Sequence, residues 1–334
     1  MPAPSPSRPR SEPRPDGALL DGAPAAPAVT LTRSPLVDVL HPSLPAGVRV
    51  FAKLESVQAG GSIKDRPVSR IIERAVAGGD LEPGGDRRLL DSSSGNAGIA
   101  YAMIGARFGV PVTLVVPANA SQERLSRIRS HGAELVLTDP MDGYDEAIRR
   151  ARAMAKAEPG KYWYANQYGN ANNWRAHYAT TGAEILEQLS AEHGLEPDAF
   201  VCGVGTGGTF TGTSRRLLEA NPDIHLAIAI PDIFPGIEGL KPLGAPEDIV
   251  PDILDESLIA QRLDVTMEQA VEACHWLSGQ GYFVGPSSGG NLTAALELAS
   301  SGRYTTVVTT FSDTGERYLS TGLWDLLASR AGPG

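Results

Sequence analysis

The stretch Gly60-Gly61-Ser62-Ile63-Lys64-Asp65-Arg66-Pro67 joins two patterns of different period. Before it runs a strand-like apolar segment over residues 48–54. After it, Val68, Ile71, Ile72, Ala75 and Val76 recur at helical spacing. Ser62 and Asp65 read as the S-x-x-D start of a capping box, which places Lys64 in the first helical turn. The positive end of the helix dipole disfavours an ammonium there. Partial burial would lower the amine's pKa further, towards the free base that Schiff-base chemistry requires.

Outward from this junction the chain keeps alternating. Strand-like runs fall at 48–54, 88–91, 111–117, 134–138, 162–166, 200–204, 225–230 and 305–311, with helical runs between them at 121–131, 144–157, 179–192 and 267–279. The order predicts an α/β protein with parallel-rich sheets flanked by helices, whose ligands sit at the carboxyl ends of strands. At 334 residues the chain is long enough for two lobes, expected over 30–165 and 166–330. Residues 1–29 are crowded with proline, alanine, serine and arginine, and a disordered tail is expected there. Glu12, Asp16 and the prolines spoil the amphipathic helix of a transit peptide, and there is no apolar core for a secretory signal.

Three further segments sit at strand-to-helix junctions. Gly203-Val204-Gly205-Thr206-Gly207-Gly208-Thr209 follows a buried strand and precedes a helix over 210–220. Its glycines let the backbone approach an anion, and helix-start N–H groups bind one. The loop lacks the Walker A lysine, so a single phosphate ester fits better than a nucleoside triphosphate. Ser92-Ser93-Ser94-Gly95-Asn96-Ala97-Gly98 reads both as a helix cap and as a cluster of donors for a carboxylate. Gly285-Pro286-Ser287-Ser288-Gly289-Gly290-Asn291 reads as a cap before a helix over 292–300. Residues 314–319 read as structural, along the same edge of the sheet.

Composition narrows the function. Hydrophobic content of 42% and charged content of 20% describe an ordinary globular protein, and a net charge of -10 argues against nucleic acid or an anionic membrane as partner. No apolar run approaches the roughly 18 residues of a membrane span. The two cysteines, Cys202 and Cys274, read as core thiols in a reducing compartment, with no metal site.

Taken together and in this order, the segments 60–67, 93–98, 166–168, 203–209, 287–289 and 315–321 resemble the cysteine synthase and cystathionine β-synthase family of fold-type II pyridoxal phosphate enzymes. The resemblance runs from about Ser34 to Trp324. It implies a two-lobed, tryptophan synthase β-like fold, pyridoxal 5'-phosphate as cofactor, a cytoplasmic homodimer and an amino-acid substrate. On this resemblance Lys64 corresponds to the lysine that bonds the cofactor covalently, and Asn96 to the residue on its ring hydroxyl. Gly205, Thr206, Gly207, Gly208 and Thr209 correspond to the phosphate cradle, and Ser287 to the hydroxyl on the pyridine nitrogen. Ser93, Ser94, Gly95 and Gln167 correspond to the grip on the substrate carboxylate. Phosphoserine-using relatives carry a cation in the loop that holds Lys241, which makes Lys241 a candidate for a substrate phosphate.

The implied reaction is β-substitution on O-acetyl- or O-phospho-L-serine through an aminoacrylate, with sulfide giving L-cysteine. An amine nucleophile giving a 2,3-diaminopropionate-type product, a serine or threonine ammonia-lyase, and a cofactor-binding protein without turnover are the alternatives. Two positions depart from the usual pattern: Ala97 replaces a threonine, and Pro286 an isoleucine. Losing one hydroxyl contact at Ala97 would cost about 0.5–1.5 kcal/mol of substrate binding.

Overall fold

Two parallel-rich sheets organise the chain in the computed structural model, which describes residues 31–93, 95–139, 141, 143–243 and 250–324. The tail expected over 1–29, and Ser94, lie outside the described residues. The larger sheet has the order β1-β2-β10-β7-β8-β9, from β1 (Leu36–Val39), β2 (Arg49–Leu54), β7 (Ala199–Gly203), β8 (His225–Pro231), β9 (Gln261–Val265) and β10 (Thr306–Phe311). Only β1 pairs antiparallel. The smaller sheet has the order β5-β4-β3-β6 and is parallel throughout, from β3 (Arg88–Ser92), β4 (Val112–Pro117), β5 (Glu134–Thr138) and β6 (Tyr162–Tyr164). The division expected at 165/166 coincides with the end of the smaller sheet. The larger sheet takes its first two strands from the other side of that division.

Nine α-helices stand among the described residues. They are α1 (Asp65–Ala77), α2 (Asn96–Phe108), α3 (Gln122–Ser130), α4 (Gly143–Ala157), α5 (Asn172–His177), α6 (Ala183–Gln188), α7 (Gly208–Ala220), α8 (Met267–Gly279) and α9 (Pro286–Ser300). One apolar cluster, around Val50, Val201, Ala229 and Leu292, packs β2, β7 and β8 against α9. Another, around Ile72, Leu89, Ile104 and Leu114, joins α1 and α2 to the smaller sheet. Central strands such as β4 are buried at every position, which is why they read as continuous apolar runs.

Three local expectations change. The helix expected from 292 begins at Pro286, with proline in its first turn, so Ser287 and Ser288 are helical. A Cβ on Gly289 would stand 1.9 Å from the Ala270 carbonyl and 2.7 Å from Cys274 Sγ, so this close α8–α9 approach admits only glycine. The capping box at Ser62 and Asp65 does not form. Lys64 is itself the N-cap, Ser62 Oγ accepts from its N–H at 3.3 Å, and the Asp65 carboxylate accepts from Gly60 N–H at 2.5 Å. The helix expected over 179–192 is interrupted by π-turns at Tyr178–Gly182 and Leu189–His193.

A buried charge cluster docks α1. The Arg66 guanidinium donates to both Glu55 oxygens at 2.7 and 2.8 Å and to both Glu184 oxygens at 2.7 and 2.9 Å. The Lys53 ammonium completes the set at 2.7 Å from Glu184. Arg66, Lys53 and Glu55 are fully buried. Removing one partner strands the others without water. Arg66→Ala should therefore lower unfolding free energy by about 3–5 kcal/mol, read from the denaturant midpoint. A loss below about 1 kcal/mol would mean that the cluster is solvated.

Candidate active site

The carboxyl ends of β2, β3, β7 and β10 face one cleft, as expected where parallel strands hand over to helices. Lys64, Asn96, Gly205, Thr206, Gly207, Thr209 and Ser287 line it together, with Glu238, Ser312 and Tyr318. Gly208 opens α7 directly behind the loop. The structure thus brings together residues that stand as much as 254 positions apart (Lys64 to Tyr318).

Lys64 enters from the start of α1. Burial lowers its pKa, and the carboxylate of Asp313 acts in the opposite sense. Asn96 opens α2. Its Nδ2 donates to Asp313 Oδ2 at 2.8 Å, and its Oδ1 accepts from the Arg317 guanidinium. Asp313 also accepts from the Tyr318 hydroxyl at 2.8 Å. It is fully buried, and desolvation raises its pKa. The segment 314–319, read from sequence as structural, therefore supplies two side chains to the site. The signal was available: Asp313 and Arg317 follow an apolar strand at the same sheet edge as the glycine loop.

Gln167 and the asparagine loop form one hydrogen-bonded unit. Asp91 accepts from Ser92 N–H at 2.8 Å and from Gln167 N–H at 3.1 Å. Gln167 Nε2 donates to the Ser92 carbonyl at 3.0 Å. Ser93 is buried beside them, and its hydroxyl lies 3.3 Å from Gly95 N. Lys241 is not among the residues lining the cleft. Its ammonium lies 3.6 Å from the Asp145 carboxylate and over the Tyr168 ring. Ala97 is buried within the apolar cluster under α2.

The glycine loop is shaped by crowding from behind. A Cβ on Gly205 would stand 2.5 Å from the Gly239 carbonyl, and Gly207 has φ +83°, a left-handed value that disfavours other residues. No side chain caps the start of α7. Behind Thr209, His177 is buried, with Nε2 at 3.4 Å from the Thr209 hydroxyl and Nδ1 at 3.0 Å from Thr181. Burial lowers its pKa well below the usual imidazole value, so it is neutral.

Residues 29–313 match the family described as pyridoxal-phosphate dependent enzyme. The chain belongs to this family. Cysteine synthase of Aquifex aeolicus is 42% identical over 301 residues, covering 87% of this chain and 89% of the relative. Cysteine synthase B of Escherichia coli is 36% identical over 296 residues, covering 88% and 94%. Among solved structures, cysteine synthase of Entamoeba histolytica superposes with a TM-score of 0.81 at 31% identity, covering 94% of both chains. O-ureido-L-serine synthase superposes with a TM-score of 0.80 at 33% identity, covering 91% and 96%. This pyridoxal-phosphate dependent enzyme is accordingly of the cysteine synthase type.

The residues present fit the cofactor. A half-buried amine whose pKa desolvation lowers suits its aldehyde, an uncapped start of a 13-residue helix suits its phosphate, and an amide and a hydroxyl remain for its ring. Among the described residues no cluster of His, Cys, Asp and Glu is placed to hold a metal. No described helix is long and apolar enough to cross a membrane.

Burial raises the Asp91 carboxyl to about 6, against the hydrogen bonds from Ser92, Tyr101 and Gln167 that lower it. The native state holds that proton more tightly than the unfolded chain, so this group's contribution to stability falls as pH rises from about 4 to about 6. Relative to wild type, Asp91→Asn should gain up to ~3 kcal/mol of stability across that window. Unfolding titrations of both proteins from pH 4 to pH 7 would show it, and a pH-independent difference would refute it.

Proposed function

We propose that this enzyme replaces the β-substituent of an O-activated L-serine, O-acetyl-L-serine foremost, with sulfide to give L-cysteine. The observation that carries the reading is the meeting of Lys64, Asn96, Ser287 and the 205–209 loop in one cleft. Bound pyridoxal 5'-phosphate supplies the electron sink that makes the substrate Cα–H bond acidic. The Lys64 amine takes the Cα proton and later returns it. Between these events the Cβ–O bond breaks with its electron pair leaving on acetate, and hydrosulfide forms the new Cβ–S bond.

Ser93, Ser94, Gly95 and Gln167 hold the substrate carboxylate, and the Gln167 unit with Asp91 keeps that grip in place. Asn96 and Ser287 orient the cofactor ring, and Gly205, Thr206, Gly207, Gly208 and Thr209 receive its phosphate. Ser287 is a neutral partner: a hydroxyl, unlike a carboxylate, does not hold a proton on the pyridine nitrogen. We also infer a cytoplasmic homodimer. Cys202 and Cys274 are buried free thiols, each raised to about 12 chiefly by burial, which suits a reducing compartment.

The leaving group is read from charge. Lys241 is paired with Asp145 and Glu238 with Arg124, so neither residue of that loop offers a free cation to a substrate phosphate. This favours a neutral acetyl ester over a phosphate dianion. The kcat/KM for O-acetyl-L-serine should exceed that for O-phospho-L-serine by about tenfold or more, the worth of one charge contact. A selective loss with phosphoserine in Lys241→Ala would instead assign Lys241 to the substrate phosphate.

The central assignment is tested at Lys64. Lys64→Ala should lower cysteine formation from O-acetyl-L-serine and sulfide by at least roughly 10²–10⁴-fold. Borohydride reduction of the holoenzyme followed by peptide mass spectrometry should place the cofactor on Lys64. A label on Lys53 or Lys241 would overturn the site.

A further inference from the structure

Asn173 joins the two halves of the site, and nothing in the reaction as derived above requires it. It lies in the first turn of α5 and is 1% exposed. Its single Nδ2 donates to the Gln167 carbonyl at 2.7 Å and to Thr206 Oγ1 at 3.1 Å. Both hydrogens of the amide are thereby used. Gln167 follows β6 of the smaller sheet, and Thr206 follows β7 of the larger one. One amide thus spans from the carboxylate grip to the phosphate loop.

The amide cannot turn over. Flipping it would set Oδ1 against the Gln167 carbonyl, acceptor to acceptor. Its Oδ1 is buried without a hydrogen-bond partner and would stand 1.9 Å from a Cβ on Gly208, so the group is wedged against the first residue of α7. A buried unpaired acceptor costs free energy, and here it accompanies the placement of two donors. At the Gln167 end the N–H is engaged by Asp91 and the side-chain Nε2 by the Ser92 carbonyl. Asn173 holds the carbonyl and so fixes the orientation of the peptide that follows Gln167. At the other end, Thr206 Oγ accepts from Asn173, which leaves the hydroxyl hydrogen to point elsewhere.

We propose that Asn173 is a positioning residue that couples the phosphate loop to the substrate-carboxylate grip, so that the Thr206 hydroxyl influences amino-acid affinity without touching the amino acid. This rests on the functional reading above and adds to it a link between two subsites.

The test is a double-mutant cycle on the holoenzyme at saturating pyridoxal phosphate, with O-acetyl-L-serine and sulfide as substrates. Thr206→Val removes the acceptor and should raise the amino-acid KM about three- to tenfold, over and above any fall in kcat from its place in the phosphate loop, and Thr206→Ser, which restores the hydroxyl, should bring KM back. In an Asn173→Ala background, itself raised in KM, Thr206→Val should add nothing further. A Thr206→Val enzyme that loses only cofactor affinity, with wild-type KM, overturns the coupling, as do fully additive effects in the cycle. Should Asn173→Ala fail to fold, the contrast between Thr206→Val and Thr206→Ser decides alone. Absence of turnover in wild type would remove the functional reading itself, a result distinct from wild-type turnover with an unmoved KM in Thr206→Val.

Discussion

The site depends on where α1 begins, and that is set by a guanidinium two residues beyond the lysine. Arg66 is held by Glu55 at the end of β2 and by Glu184 on α6. These contacts leave the first turn of α1 little freedom to slide or rotate. An ammonium of Lys53 offsets the second carboxylate, so two positive and two negative charges share one dry compartment. Such a cluster contributes less to net stability than to geometry, since an apolar replacement would also pack. Its value to this fold is that it specifies one docking of the helix, and with it the line along which the Lys64 amine enters the cleft.

A second constraint comes from the boundary between the sheets. Polar pairs join the two sides: Asn96 with Asp313, Arg124 with Glu238, and Lys241 with Asp145. Polar groups that separate find water at modest cost, whereas separated apolar faces do not. Parting these contacts would leave the apolar clusters on the faces of the two sheets intact. This suits an enzyme that must admit a substrate and then keep water from it.

Much of this was legible in the sequence, and the gaps have physical reasons. Inner strands such as β4 and β10 are buried on both faces, and a run such as Val112–Pro117 shows it directly. The edge strands β1 and β9 escaped notice. β9 is buried only at Leu263 and Val265, so its Gln261, Arg262 and Asp264 read as loop. The first turn of α9 was hidden because serine, glycine and asparagine are poor helix formers, and tertiary packing against Ala270 overrides that preference. The cleft residues were visible by type at strand-to-helix junctions. Asp91 and Asn173 were not, and Asp313 showed only as a carboxylate after an apolar strand. Their roles lie in side chains that reach between distant segments, as when Asn96 meets Asp313 across 217 positions, and no local pattern encodes that meeting.

The close approach of α8 and α9 has one more consequence. Cys274 Sγ–H donates to the Gly285 carbonyl at 3.3 Å, and the thiol sits where any side chain on Gly289 would have to go. A neutral thiol at about 12 is a poor nucleophile, and this one is sealed from reagents by its burial. Modification of Cys274 then requires the two helices to part. Its alkylation rate becomes a clock for that local opening, ticking beside the helix that carries Ser287.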